Sequence, residues 1–178
     1  WGNSYKIVRR LQRRIFKASL NDDRKLLVHL QQQLIRNTHA KLIAVHKVTT
    51  LNKGKHTPGV DGIIPTSPRM KLELAKKLHL NGKAALVKRV WIPKPGKTEK
   101  RPLGIPTIQD RAKQALAMLA LEPEWEAKFE PNSYGFRPKR STKDAIEQIF
   151  TGICYKQEAW VLEGDLKGFF DNIKCDTF

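Results

Sequence analysis

Val161-Leu162-Glu163-Gly164-Asp165-Leu166-Lys167-Gly168-Phe169-Phe170-Asp171-Asn172-Ile173 is the stretch on which the reading of this chain turns. It runs β-branched and apolar residues into an isolated acid, then a glycine and two aromatics, and Asp171 is placed to cap a following helix. Side chains alternate along a strand, so the stretch predicts Val161, Glu163 and Asp165 on one face and Leu162, Gly164 and Leu166 on the other. Asp165 then stands at a strand end. A carboxylate fixed there in a basic chain suits a divalent cation held against a triphosphate, because hard cations take oxygen ligands. The plainer alternative is a surface acid paired with Lys167, with Asp171 or Asn172 only capping a helix that begins at Ile173.

Charge is the strongest global signal. Thirty-four Lys and Arg against seventeen Asp and Glu leave a net charge of +17 on 178 residues. That is far beyond what solubility needs and implies a polyanionic partner, either nucleic acid or an anionic membrane. Membrane is disfavoured, since the longest apolar run, Ala115 to Leu121, is much shorter than the roughly 20 residues that span a bilayer. No secretory signal is visible at the start. Cys154 and Cys175 are too far apart for a compact metal-ligand pair and read as reduced cytosolic thiols. The chain opens on Trp1 and stops at Phe178 just past a helix start signal, so the expectation is a fragment of a longer protein. A hydrophobic content of 40% allows a real core.

Residues 1 to about 50 predict a helical hairpin. Ile7, Leu11 and Ile15 recur at four-residue steps, as do Leu26, Leu30 and Leu34 after a break at Ser19-Leu20-Asn21-Asp22. Its outer faces carry Lys6, Arg9, Arg10, Arg13, Arg14, Lys17, Arg24, Lys25, Arg36, Lys41 and Lys47, with Asp22 and Asp23 the only acids. One-signed charge cannot form helix-stabilising pairs, so contact with a nucleic-acid backbone is favoured over a merely solvated face. Asp22-Asp23 reads as a helix start rather than a catalytic pair. Thr57-Pro58-Gly59-Val60-Asp61-Gly62 is turn chemistry. Ser67-Pro68 predicts a short helix to about Leu80, closed by Asn81-Gly82. Val87–Ile92 and Arg101–Ile105 predict a β-hairpin with Lys94, Lys97, Lys100 and Arg101 near its tip, a solubilising edge or a triphosphate clamp. Thr107 and Asp110 approximate a capping box for an apolar, buried helix that Pro123 should end. Ser133 to Thr142 forms a loop of two aromatics and three cations, either a tight basic turn or a place for a nucleic-acid strand, and Ser141 or Thr142 caps the helix running through Phe150.

Four strings then stand in a recognisable order: Asn52-Lys53-Gly54-Lys55-His56-Thr57-Pro58-Gly59-Val60-Asp61-Gly62; Ile92-Pro93-Lys94-Pro95-Gly96 with Arg101-Pro102-Leu103-Gly104-Ile105-Pro106-Thr107; Tyr134-Gly135-Phe136-Arg137-Pro138; and Glu163-Gly164-Asp165 through Asn172-Ile173. Nearly the whole chain resembles the group II intron reverse transcriptase and maturase family. The resemblance implies an α+β fold: a right-hand polymerase fingers and palm fragment with an N-terminal basic helical extension over residues 1–60, and fingers with the start of the palm over 61–178. It implies an RNA-directed DNA polymerase that also assists splicing and mobility of its intron RNA, working as a cytoplasmic ribonucleoprotein of bacterial type. Asp165 matches the family's first metal-binding carboxylate and the Leu166 carbonyl a further ligand, with two Mg²⁺ ions in the complete site. Phe170 matches the ring beneath the incoming sugar, which gains discrimination by repulsion. Lys94 and Arg101 match the residues that grip the triphosphate, and Arg137 a motif near template and nucleotide. Arg9, Arg10, Arg13, Arg14, Lys17, Lys41, Lys53 and Lys55 are the expected RNA contacts. Expected partners are intron RNA, an RNA template with a DNA primer, deoxynucleotide triphosphates and, as a further candidate, target DNA.

The sequence also departs from the family. The aromatic-Ala-Asp-Asp motif that would complete the metal site is absent, so the chain alone is expected to be inactive. Lys139 stands where the family often has Gly, and Lys174 where an acid is common. The alternatives are a non-catalytic intron RNA-binding maturase module and another retroelement-type reverse transcriptase.

Overall fold

The computed structural model describes residues 1–96, 98–154, 160, 162–167 and 172. The chain divides into two compact units, Trp1–Phe129 and Glu130–Phe178.

In the first unit, the N-terminal stretch forms three helices rather than a hairpin: α1 (Gly2–Leu20), α2 (Arg24–Arg36) and α3 (Thr38–His46). Asp23 caps α2 by accepting from Leu26 N, so the Asp22-Asp23 pair is a helix start as expected. The unforeseen break is at Asn37. Its side chain accepts from His39 N at 2.9 Å and Ala40 N at 3.4 Å, competing with continued helix and capping α3 instead. On α2 the buried stripe is Leu27, Leu30 and Leu34, while Leu26 is 40% exposed and is not part of it. A single π-helical turn, Lys47–Leu51, and a 3₁₀ turn, Lys53–His56, lead out of α3.

Helix α4 (Pro68–Lys77) begins at Ser67, whose hydroxyl accepts from Met70 N, and stops at Lys77 rather than Leu80. Strands β1 (Lys88–Pro93) and β2 (Lys100–Ile105) form the expected antiparallel hairpin, with Lys88 opposite Ile105 and Pro93 opposite Lys100. Helix α5 (Ile108–Lys128) is the hub against which α1, α2 and α3 pack. Ile15, Leu30, Leu34, Leu78, Ile108 and Leu116 are its fully buried large side chains and those of its neighbours.

Pro123 does not end α5; it lies buried inside it. A proline in a helix withholds the N–H that the carbonyl four residues back would accept, here that of Leu119. Gln12 Nε2 of α1 donates to that carbonyl at 3.0 Å, Gln31 Nε2 of α2 donates to Ala120 O at 3.4 Å, and Ser19 Oγ donates to Glu124 O at 3.1 Å. Gln12 thus supplies the one bond the proline removes, the other two tie α2 and α1 to nearby carbonyls of α5, and the helix runs on to Lys128. One side of α5, with Met118, Leu121 and Trp125, remains exposed, so the helix is less buried than its composition predicts.

In the second unit, α6 (Thr142–Ile153) starts with a full capping box between Ser141 and Asp144. Its apolar residues Ile146, Ile149, Phe150 and Ile153 are exposed. Residues 162–166 do not form the expected strand, and Leu162 and Leu166 are 97% and 71% exposed rather than alternating. A strand is held by ladder bonds to a neighbour, and among the described residues no segment pairs with 162–166. Phe170, Asp171, Ile173 and Cys175 lie outside the described residues, as does Lys97.

Candidate functional site

On the hairpin, the turn between β1 and β2 is closed by Lys94 N donating to Glu99 O at 3.0 Å. Lys94 Nζ pairs with Glu99 Oε2 at 2.7 Å, so this cation is held across the turn. Arg101 sits opposite Ile92 on β2 and is exposed, as is Lys100. Both triphosphate candidates therefore lie at the tip end of one hairpin.

Helix α1 has two faces. Val8, Leu11, Ile15 and Ala18 are buried, whereas Lys6, Arg9, Arg10, Arg13, Arg14 and Lys17 are exposed. At 3.6 residues per turn these six cations fall within an arc of roughly 140°. The helix holds no acid, and none of the four ion pairs found among the described residues involves it. Lys41 on α3 is half-buried.

The basic segment after α3 is tied down. Lys55 Nζ donates to Thr50 O at 3.1 Å, while Lys53 and His56 are exposed. Arg111, on the second turn of α5, donates from Nε to Pro106 O at 3.1 Å, from Nη1 to Gly54 O at 2.9 Å and from Nη2 to Thr57 O. Gly59 lies against the start of the same helix, where a Cβ would stand 2.6 Å from Thr107 Cα. Beside them Asp110 is buried. Burial opposes its charge, but the Ala85 N–H, the Thr107 hydroxyl and Lys113 outweigh burial and hold its carboxyl below the usual carboxylate range. The expected Thr107–Asp110 box is thus half made: Thr107 Oγ1 accepts from Asp110 N at 3.1 Å, whereas the carboxylate reaches Ala85 N at 2.9 Å. Nothing in the sequence singled out Arg111; an Arg in a helix's opening turns, where the dipole disfavours cations, was the available signal.

In the second unit, Arg137 is 8% exposed and its Nη1 donates to Glu130 O at 2.7 Å and Ser133 O at 2.8 Å. Its guanidinium fastens the loop from within. Phe136 and Lys139 flank it with φ of 58° and 59°, and Phe136 is fully exposed. Arg140 lies over the Tyr134 ring at 5.4 Å. Asp165 and Leu166 are exposed in the irregular segment 162–166. Among the described residues no three His, Cys, Asp or Glu side chains gather into a metal-holding group. Asp165 offers one carboxylate where a hard cation takes several oxygen ligands, so the described residues do not complete a divalent-cation site.

Residues 1–78 match the family described as the N-terminal domain of reverse transcriptase, and residues 92–178 match that described as reverse transcriptase (RNA-dependent DNA polymerase). Two consecutive matches that leave out only residues 79–91 place the chain among reverse-transcriptase sequences. Among curated relatives, Protein YkfC of Escherichia coli (strain K12) is 39% identical over 136 residues, covering 71% of this chain and 35% of that protein. Maturase-like protein 1 of Euglena gracilis is 31% identical over 189 residues, 99% of this chain and 40% of that protein. Group II intron-encoded protein LtrA of Lactococcus lactis subsp. cremoris is 38% identical over 130 residues, 68% of this chain and 20% of that protein. The chain belongs to the group II intron reverse transcriptase and maturase family and corresponds to its N-terminal portion. It spans two fifths or less of the length of these relatives. Among the described residues no helix is long and apolar enough to cross a membrane.

Proposed function

We propose that this chain forms the N-terminal extension (1–60) and the fingers with the start of the palm (61–178) of an RNA-directed DNA polymerase that also assists splicing and mobility of its intron RNA. The observation that carries the reading is the ordered match to the two reverse-transcriptase families, the second of which spans Asp165. Its partners are intron RNA, an RNA template with a DNA primer, and deoxynucleotide triphosphates, with target DNA a further one, in a cytoplasmic ribonucleoprotein.

The reaction joins a primer 3′-hydroxyl to the α-phosphate of the incoming nucleotide. Reverse transcriptases work with divalent ions, here Mg²⁺, which stabilise attacking and leaving oxygens when bound. Asp165 and the Leu166 carbonyl supply part of that ligand set, and the remainder is not among the described residues. Lys94 and Arg101 grip the triphosphate, Lys94 exchanging Glu99 for a phosphoryl oxygen, because charge-assisted bonds to phosphate outrank an exposed ion pair. Phe170, which lies outside the described residues, is assigned discrimination against a ribose 2′-hydroxyl by its motif. Arg137 holds its loop in shape near template and nucleotide. The intact protein should extend a DNA primer on an RNA template with deoxynucleotides and not with ribonucleotides; extension with both alike would refute the assignment of Phe170.

For the chain by itself a second reading is favoured, an intron RNA-binding module without polymerase activity. The acid-free cationic face of α1 supports it. Arg9, Arg10, Arg13, Arg14 and Lys17 meet the phosphate backbone there, together with Lys41 on α3 and Lys53 and Lys55 in the Lys53–His56 turn.

A further inference from the structure

We infer that Arg111 is a positioning residue for RNA binding: it holds the Lys53–His56 turn in the shape in which its cations meet phosphates, and couples that turn to the exit of the β-hairpin. The inference rests on the RNA-binding reading above and adds a residue outside its contact set. Three carbonyls from two separate segments converge on one guanidinium, Gly54 and Thr57 from the basic turn and Pro106 from the end of the hairpin. Gly54 O already accepts from Thr57 N at 3.0 Å, so Arg111 braces a turn that is closed on itself. Gly59 adds a second anchor, packed so closely on Thr107 that no side chain fits.

The chemistry suits this role and little else. A cation near a helix N-terminus is electrostatically disfavoured, and only concentrated carbonyl acceptors offset that. Guanidinium is planar with five donors in a fixed fork, so its three nitrogens each reach a separate carbonyl; an ammonium has three donors but all on one atom, and cannot reach three acceptors set apart in this way. The exposed Lys53 and His56 are carried on the braced turn, and Lys55 is drawn back to Thr50 O. A turn shaped in advance loses less conformational freedom on meeting RNA.

The test compares the full chain with its R111K, K53A/K55A and combined variants, titrated with a single-stranded RNA oligonucleotide over a range of salt, with folding checked by circular dichroism. K53A/K55A should lower the magnitude of the log–log salt slope by about 0.7 to 0.9 for each phosphate no longer neutralised. R111K keeps the charge, yet it should reproduce most of that change and weaken binding roughly tenfold at low salt, as when a few phosphates go unpaired. Added to K53A/K55A, it should cost nothing more, because it acts through those lysines. A wild-type slope in R111K, or a further full loss in the combined variant, would overturn the positioning role. A flat salt response of the wild type would overturn the RNA-binding reading itself. Should R111K fail to fold, Gly54→Ala gives the second arm: its Cβ meets Arg111 Nη1 at 3.5 Å, an ordinary contact, so it should leave the slope intact while Gly59→Ala shifts it. A fall in slope in Gly54→Ala equal to that in Gly59→Ala would count against the anchored turn.

Discussion

At position 59 a side chain has nowhere to go. A Cβ would approach backbone atoms of Thr107 and Pro106 at 2.6 to 3.0 Å, and backbone cannot swing aside as a flexible side chain can. Gly59→Ala should therefore destabilise the first unit by about 1–3 kcal/mol in urea unfolding; an unchanged midpoint would mean that the contact is loose. Gln12 offers a sharper test, since it serves a carbonyl orphaned by Pro123. Gln12→Leu should cost about 1–3 kcal/mol in the native background, and much less beside Pro123→Ala, where the returned N–H satisfies Leu119. Equal costs in both backgrounds would contradict the pairing. Asp110 sets a pH dependence. Its folded carboxyl lies below the unfolded value of about 3.9, so its contribution is fully present above that pH and is lost as pH falls through the folded value. Melting temperature should drop on the acid side, and Asp110→Asn should flatten that limb; a variant limb as steep as the wild type's would assign the loss to other groups.

Elements were legible where their signals are local. Ser67-Pro68, Thr107 and Ser141 each announce a helix within four residues, and each caps one. The hairpin was legible too, because β-branched and apolar runs flank a Gly-containing turn. What escaped depends on partners remote in sequence: the Leu119 carbonyl that Pro123 leaves without its helical donor is served by Gln12 of α1, and among the described residues no segment pairs with 162–166. Leu27, Leu30 and Leu34 fall within an arc of roughly 60° at 3.6 residues per turn, and Leu26 lies outside it and is exposed, so the buried stripe runs through Leu27 instead. At this scale α1 yields its own prediction. Replacing Arg10, Arg13 and Arg14 with Gln should lower the RNA-binding salt slope by roughly 2 to 3 while moving stability by less than about 0.5 kcal/mol, because these side chains are exposed. An unchanged slope in a binding titration would remove α1 from the RNA interface.

Across the whole molecule, the cationic surfaces and the proposed catalytic acid fall in different units. The cations of α1, the braced turn and the hairpin belong to the unit Trp1–Phe129, whereas Asp165 belongs to Glu130–Phe178. The reading of a polyanionic partner needs only the +17 net charge, since it rests on density of one sign. The metal-ligand reading of Asp165 rests on motif resemblance alone, because a lone carboxylate carries no geometry. Binding and catalysis should accordingly come apart on mutation. The most direct measurement is primer extension on an RNA template by the intact protein and its Asp165→Ala variant, run beside RNA binding for both. The account predicts that synthesis falls roughly a thousandfold or more while RNA affinity and its salt dependence are unchanged; synthesis retained in the variant would contradict it.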